Sequence, residues 1–168
     1  LQHQLPMPRS ASLTPGDSVE HIDLRFPVVV KPLTRQHDSW KPLTASKAMQ
    51  ADSAADLARI WTQLASIGMD VLVQEMVPGP ERLIESYHAY IDRDGVTVGE
   101  FTGRKIRTYP LTHGYSTALE TTAADDVRDL GRDIMRRIGF REGVAKLDFK
   151  RHPETGELFL LEINPRFN

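Results

Sequence analysis

No cysteine occurs among the 168 residues. Disulfides and thiolate-ligated metal centres are therefore excluded, and a cytoplasmic setting fits. Long apolar runs are also missing. Stretches such as Phe159-Leu160-Leu161 fall far short of the ~20 residues that span a bilayer, so no membrane association is expected. Residues 1–10 are too polar and proline-rich for a signal peptide. Neither sign of charge dominates. The 21 Lys and Arg against 23 Asp and Glu leave a net charge of -2, which offers no reason to expect a nucleic acid partner. There is no internal repeat and no low-complexity segment. What remains is an ordinary globular composition, 40% hydrophobic and 26% charged. The chain starts without Met and stops at Asn168, so it is expected to be a piece of a longer protein.

Residues 1–16 hold three prolines and read as an irregular lead-in. Residues 26–31 form a β-branched run closed by Pro32, the pattern of a buried strand. Residues 33–44 read as a polar loop that Trp40 anchors to a core. Ser53 followed by Asp56 resembles a capping box. Leu57, Ile60, Trp61 and Leu64 then recur at helical spacing until Gly68. Residues 71–76 form another strand, stopped by Pro78-Gly79. Residues 83–91 and 96–102 are strands around an Asp-Arg-Asp-Gly hairpin loop. Val127, Leu130, Ile134 and Ile138 form the stripe of a second amphipathic helix over residues 125–138. Residues 144–150 and 158–163 are the last strands. Two helices among mostly antiparallel strands indicate an α+β architecture.

The final hairpin turns at Pro153-Glu154-Thr155-Gly156. A register symmetric about Thr155 sets Asp148 opposite Glu162, Lys150 opposite Leu160 and Lys146 opposite Asn164. Side chains alternate faces along a strand. Asp148, Glu162 and Asn164 therefore share one face, and Leu147, Phe149, Phe159, Leu161 and Ile163 share the apolar one. Directly opposed carboxylates sit with Cβ atoms about 4.5–5.5 Å apart, where like charges repel. A hard divalent cation would offset that repulsion. The other reading is a solvated polar face neutralised by Lys146 and Lys150.

Glu162-Ile163-Asn164-Pro165-Arg166, with Asp148 fourteen positions before Glu162, resembles the metal signature of ATP-grasp enzymes. The resemblance runs from about Pro6 to the C-terminus. It implies two α+β lobes, with mainly antiparallel sheets, that grip ATP: an N-terminal lobe over residues 1–75 and a C-terminal lobe over 76–168. It implies that Asp148, Glu162 and Asn164 hold Mg²⁺, or Mn²⁺ in its place. Arg166 would face the phosphates or the reacting carboxylate, a task suited to its planar fork. Lys31, ending its strand, and Lys47, before the capped helix, would face the nucleotide. Glu75, Met76 and Val77 would line the adenine pocket, and Glu81 would take the ribose hydroxyls. Residues 103–107, read as a loop after a strand, would bring Lys105 and Arg107 to phosphate or substrate. Residue by residue, a bland alternative stays open: Lys31 as a surface lysine, Met76 and Val77 as core, the 104–107 cations as solvated charge. His88 and His113 receive no role. One departure stands out. Residues 34–41 contain no glycine where many family members have a glycine-rich phosphate loop.

By this resemblance the chain is an ATP- and Mg-dependent carboxylate–amine ligase. It would phosphorylate a carboxylate for attack by an amine or ammonia, with small-molecule substrates and a homodimeric state. The alternatives are a bicarbonate-activating relative of carbamoyl phosphate synthase or biotin carboxylase, and a non-catalytic ATP-binding module.

Overall fold

The computed structural model describes residues 4–34, 40, 42–44, 46–109 and 115–166. These residues fall into two compact units. One is Pro8–Met76; the other comprises Val77–Tyr109 and the chain from Ser116 on, together with the residues up to Met7. The expected lobe boundary at residue 75 lies one residue away from the break at Met76. The expected loop at 35–39 and 41, and His113, lie outside the described residues.

The first unit contains β1 (Ser10–Leu13), β2 (Val28–Pro32), β3 (Met49–Ala51), α1 (Ala54–Ser66) and β4 (Val71–Glu75). Its four-stranded sheet runs in the order β1-β4-β2-β3. The helix starts where the sequence places it: the Asp56 N–H donates to Ser53 Oγ at 3.2 Å. Leu57, Ile60, Trp61 and Leu64 pack on Val28, Val30, Val71 and Val73 to form the core. Trp40 joins that core and donates from Nε1 to the Ser46 carbonyl, the anchoring role expected of it. Two strands of this unit were not expected. β1 follows Pro6 and Pro8, whose punctuation masks it, and it survives because it is an edge strand paired only with β4. β3, only three residues long, pairs only with β2.

The second unit contains β5 (Ile84–Ile91), β6 (Thr97–Tyr109), β7 (Tyr115–Thr122), α2 (Asp125–Arg137), β8 (Gly143–Arg151) and β9 (Leu158–Asn164). The sheet order is β7-β6-β5-β8-β9, and the β5–β6, β5–β8 and β8–β9 pairings are antiparallel. Val127, Ile134 and Met135 of α2 cover Tyr87, Leu147, Phe149 and Leu160 on one face of the sheet. Acids in the first turn of α2 and arginines in its last complement the helix dipole. The architecture is α+β with two mainly antiparallel sheets, as expected.

Two expectations are corrected here. Residues 103–107 are not a loop but the middle of β6. Their charges alternate across the two faces of the strand: Arg104 pairs with Glu120, Lys105 with Glu81, and Arg107 donates to Thr117. The second correction is a β-bulge between Asp148 and Phe149, which leaves Leu161 unpaired on β9. Lys150 therefore opposes Phe159, not Leu160. Past the bulge the faces of β9 exchange, so Leu160 and Leu158 reach the core instead of Phe159 and Leu161.

Candidate active site

The face of the five-stranded sheet away from α2 is polar at its centre. The β8–β9 turn closes with Gly156 at φ 74, where a side chain would be strained. On the far side of the bulge from that turn, the pairing is Asp148 to Glu162, Leu147 to Ile163 and Lys146 to Asn164. β5 supplies the other neighbours: Ser86 lies opposite Asp148 and His88 opposite Lys146. Asp148 thus has Ser86 on one side and Glu162 on the other, while Lys146 lies between His88 and Asn164.

Lys146 and Asp148 form an ion pair of 3.2 Å with side chains only 4% and 10% exposed. Burial pushes the Asp148 carboxyl up, the Lys146 charge opposes this, and the charge and hydrogen bond of Glu162 add to the rise. A second carboxylate opposite the first disfavours ionisation of both, which adds to the effect of burial. Such a pair fits a divalent ion, whose charge would offset the repulsion between the two carboxylates. Among the described residues no three His, Cys, Asp or Glu side chains gather as a metal site. The donor set is two carboxylates and the Asn164 amide. That set suits Mg²⁺, which takes one or two carboxylates and completes its shell with phosphates and water. It does not suit zinc, which prefers nitrogen and sulfur.

Towards the Lys150 end of the face lies a second polar group. A short 3-10 turn, Glu81–Leu83, follows Gly79, whose φ of 92 admits glycine readily. Lys150 Nζ donates to the Gly79 carbonyl at 2.7 Å, and Lys105 Nζ lies 3.6 Å from Glu81 Oε2. That oxygen is buried and accepts no hydrogen bond. Burial lowers the Lys150 ammonium; Glu81 opposes the shift and Lys105 adds to it. An orphaned carboxylate oxygen beside an ammonium can take a hydroxyl donor.

The remaining residues are placed as follows. Arg107 is exposed on β6 and Arg166 is exposed just after β9. Lys31 belongs to the first unit, where its Nζ donates to Gln74 Oε1 at 3.0 Å. Lys47 is half-buried and precedes β3 rather than the capped helix directly. The Glu75 carboxylate is buried and engaged by Arg25 and Arg9, so its side chain is not available to line a pocket. Met76 is half-buried with its N–H on the Pro27 carbonyl, and Val77 is buried. Sequence reasoning gave Lys146 and Lys150 only a neutralising part and gave Ser86 no part at all. The alternation along residues 84–91 carried the missing signal, but only the β5–β8 register shows which of those residues meet Asp148.

No protein-family model matches the chain. Over 69 residues, 41% of this chain, it is 35% identical to the carbamoyl phosphate synthase large chain of Clavibacter sepedonicus and 33% identical to that of Bifidobacterium animalis subsp. lactis. The match covers 6% of the length of those relatives. Among solved structures, the ADP complex of PurK, a carboxyaminoimidazole ribonucleotide synthetase, superposes with a TM-score of 0.72 at 15% identity, over 98% of this chain and 41% of that one. D-cycloserine synthetase DcsG gives 0.68 at 18% identity, over 97% and 58%. The ATP complex of D-alanine–D-alanine ligase from Bacillus anthracis gives 0.62 at 15% identity, over 96% and 50%. In its fold this chain is similar to these solved structures, and over part of its sequence it is similar to carbamoyl phosphate synthase large chains.

Proposed function

We propose that the chain is the ATP-binding core of a cytoplasmic carboxylate–amine ligase. The observation that carries this reading is the pairing of the buried Asp148 with Glu162, next to Asn164. ATP gives its γ-phosphoryl group to a carboxylate oxygen, forming an acyl phosphate and ADP. An amine or ammonia then attacks the acyl carbon and phosphate leaves. Asp148, Glu162 and Asn164 hold Mg²⁺, which when bound neutralises charge on the phosphate oxygens. Lys31, Lys105, Arg107 and Arg166 add positive charge toward the phosphates or substrate, and Lys47 faces the nucleotide. Glu81 accepts from the ribose hydroxyls. Met76, Val77 and the main chain at Glu75 take the adenine. Catalysis is then positioning and electrostatics, with no side-chain nucleophile, so the absence of cysteine is no obstacle.

The partial identity to carbamoyl phosphate synthase large chains favours a second reading, in which the acyl phosphate is carboxyphosphate made from bicarbonate. ADP release driven by bicarbonate without any amine would select it. The main reading is tested by thermal melting. Mg-ATP raises the melting temperature, and Glu162→Ala or Lys31→Ala removes the rise. Variants that respond like the parent chain would show that the site is assigned wrongly.

A further inference from the structure

The polar face has a direction. Along β8, Lys150, Asp148 and Lys146 point to the same side, and strand geometry spaces the outer two by about 13 Å. The Lys150 end holds Glu81 and Lys105, the centre holds the carboxylate pair, and the Lys146 end holds His88 and Asn164. On the proposed function, the sugar lies at the first end and the γ-phosphoryl at the centre. The oxygen that receives the phosphoryl must lie in line beyond it, roughly 3 Å away, which places it toward Lys146.

That end is unlike the rest of the face. Phe101 on β6 stacks on His88 with ring centroids 4.3 Å apart and an interplanar angle of 10°, yet its side remains 43% exposed. Tyr90, two residues after His88 on β5, is 45% exposed. Gly99 lies opposite Tyr90, and a Cβ there would meet nothing within 4 Å, so the space beside the two rings is open. Burial and the nearby Lys146 charge hold the His88 imidazole down at about 4, so it is neutral at physiological pH. Lys146, opposite His88 and 3.2 Å from Asp148, is the basic side chain at this end, and the rings beside it are apolar.

We propose that this end is the acceptor subsite and that it selects a carboxylate bearing a flat apolar group, the carboxylate lying by Lys146 and the apolar group on Phe101 and Tyr90. The proposal rests on the functional reading above for the orientation of the nucleotide. Half-exposed aromatic rings form a platform for a flat ligand. A buried ammonium next to the phosphoryl-transfer centre supplies the complementary charge.

The test is a calorimetric titration of the chain with 3-phenylpropionate, propionate and 3-phenylpropanamide, with and without Mg²⁺ and a non-hydrolysable ATP analogue. 3-Phenylpropionate is expected to bind about ten-fold tighter than propionate, the scale of one well-buried apolar contact, and Phe101→Ala should reduce the preference to about two-fold. The neutral amide should bind less well than the acid. Equal affinity for the two acids, no binding of either, or an unchanged preference in Phe101→Ala and Tyr90→Ala would overturn the subsite. Both substituted side chains are half-exposed, so loss of folding does not confuse the result. The melting shift with Mg²⁺ and the analogue is read in parallel. Selective binding of 3-phenylpropionate without any nucleotide shift would sink the functional reading, and the acceptor role with it, while the carboxylate selectivity of this end would stand.

Discussion

His88 is buried against Phe101, its Nε2 3.0 Å from Ser86 Oγ, and its pKa falls to about 4, first through burial and then through Lys146. The unfolded chain takes up that proton near 6.5. Between about 4 and 6.5 the unfolded state thus binds more protons, so stability rises with pH and is lost on acidification. Up to about 3 kcal/mol is at stake over this window. Urea midpoints measured from pH 7 to 4 should fall, and His88→Gln should flatten the fall; an identical fall in the variant would locate the proton elsewhere. Asp148 has the opposite sign. Its raised carboxyl holds a proton more tightly folded than unfolded. The stability it contributes is present at acid pH and lost as pH rises from the ordinary carboxylate range through its raised value. On the proposed function Mg²⁺ would bind the ionised pair, so its stabilising effect should grow across the same window. Calorimetry of Mg²⁺ and nucleotide against pH checks this, and Asp148→Asn should abolish the trend. At this scale the sequence was informative: the pairing of Asp148 with Glu162 follows from hairpin symmetry. The ion pair of Lys146 with Asp148 joins residues two apart on one strand, yet its burial depends on β5 and β9 closing over it.

At the scale of elements, α2 lies close to the sheet because Gly131 has no side chain. A Cβ there would come within 2.4 Å of the Tyr87 ring. Alanine normally gains about 1 kcal/mol over glycine in a helix. Here overpacking dominates, and Gly131→Ala should cost about 1–3 kcal/mol by urea denaturation. A stabilised variant would mean that the helix can shift freely. For α1, Ser53→Ala removes the cap on the Asp56 N–H and should cost about 1 kcal/mol. Both helices were legible because their apolar spacing is local. The strands were legible in part. β6 was cut short because three cations in residues 104–107 suggest a solvated loop. Alternation places Lys105 and Arg107 on one face and Arg104 on the other, and each finds a partner there. The bulge at Leu161 left no mark in the sequence, because an apolar run reads the same in either register.

For the whole molecule, the two buried clusters share no residue, and both tryptophans, Trp40 and Trp61, lie in the first. Tryptophan emission therefore reports on the unit Pro8–Met76. Leu64→Ala should lower the emission-detected stability by about 3 kcal/mol. Leu147→Ala, in the other core, should act chiefly on the circular-dichroism transition; an equal effect of Leu147→Ala on emission would show that the two cores unfold as one. Among the described residues no helix is long and apolar enough to cross a membrane. The sequence alone determined the α+β class, both helices and the pairing of Asp148 with Glu162, because these rest on local periodicity and on one hairpin with a short turn. Tertiary structure decided which strands flank that hairpin, how far β6 runs, and that Glu75 is taken up by Arg25 and Arg9 rather than left to face a ligand. The reason is physical: pairing between distant strands and the burial of charge depend on contacts far apart in sequence, which no local pattern encodes.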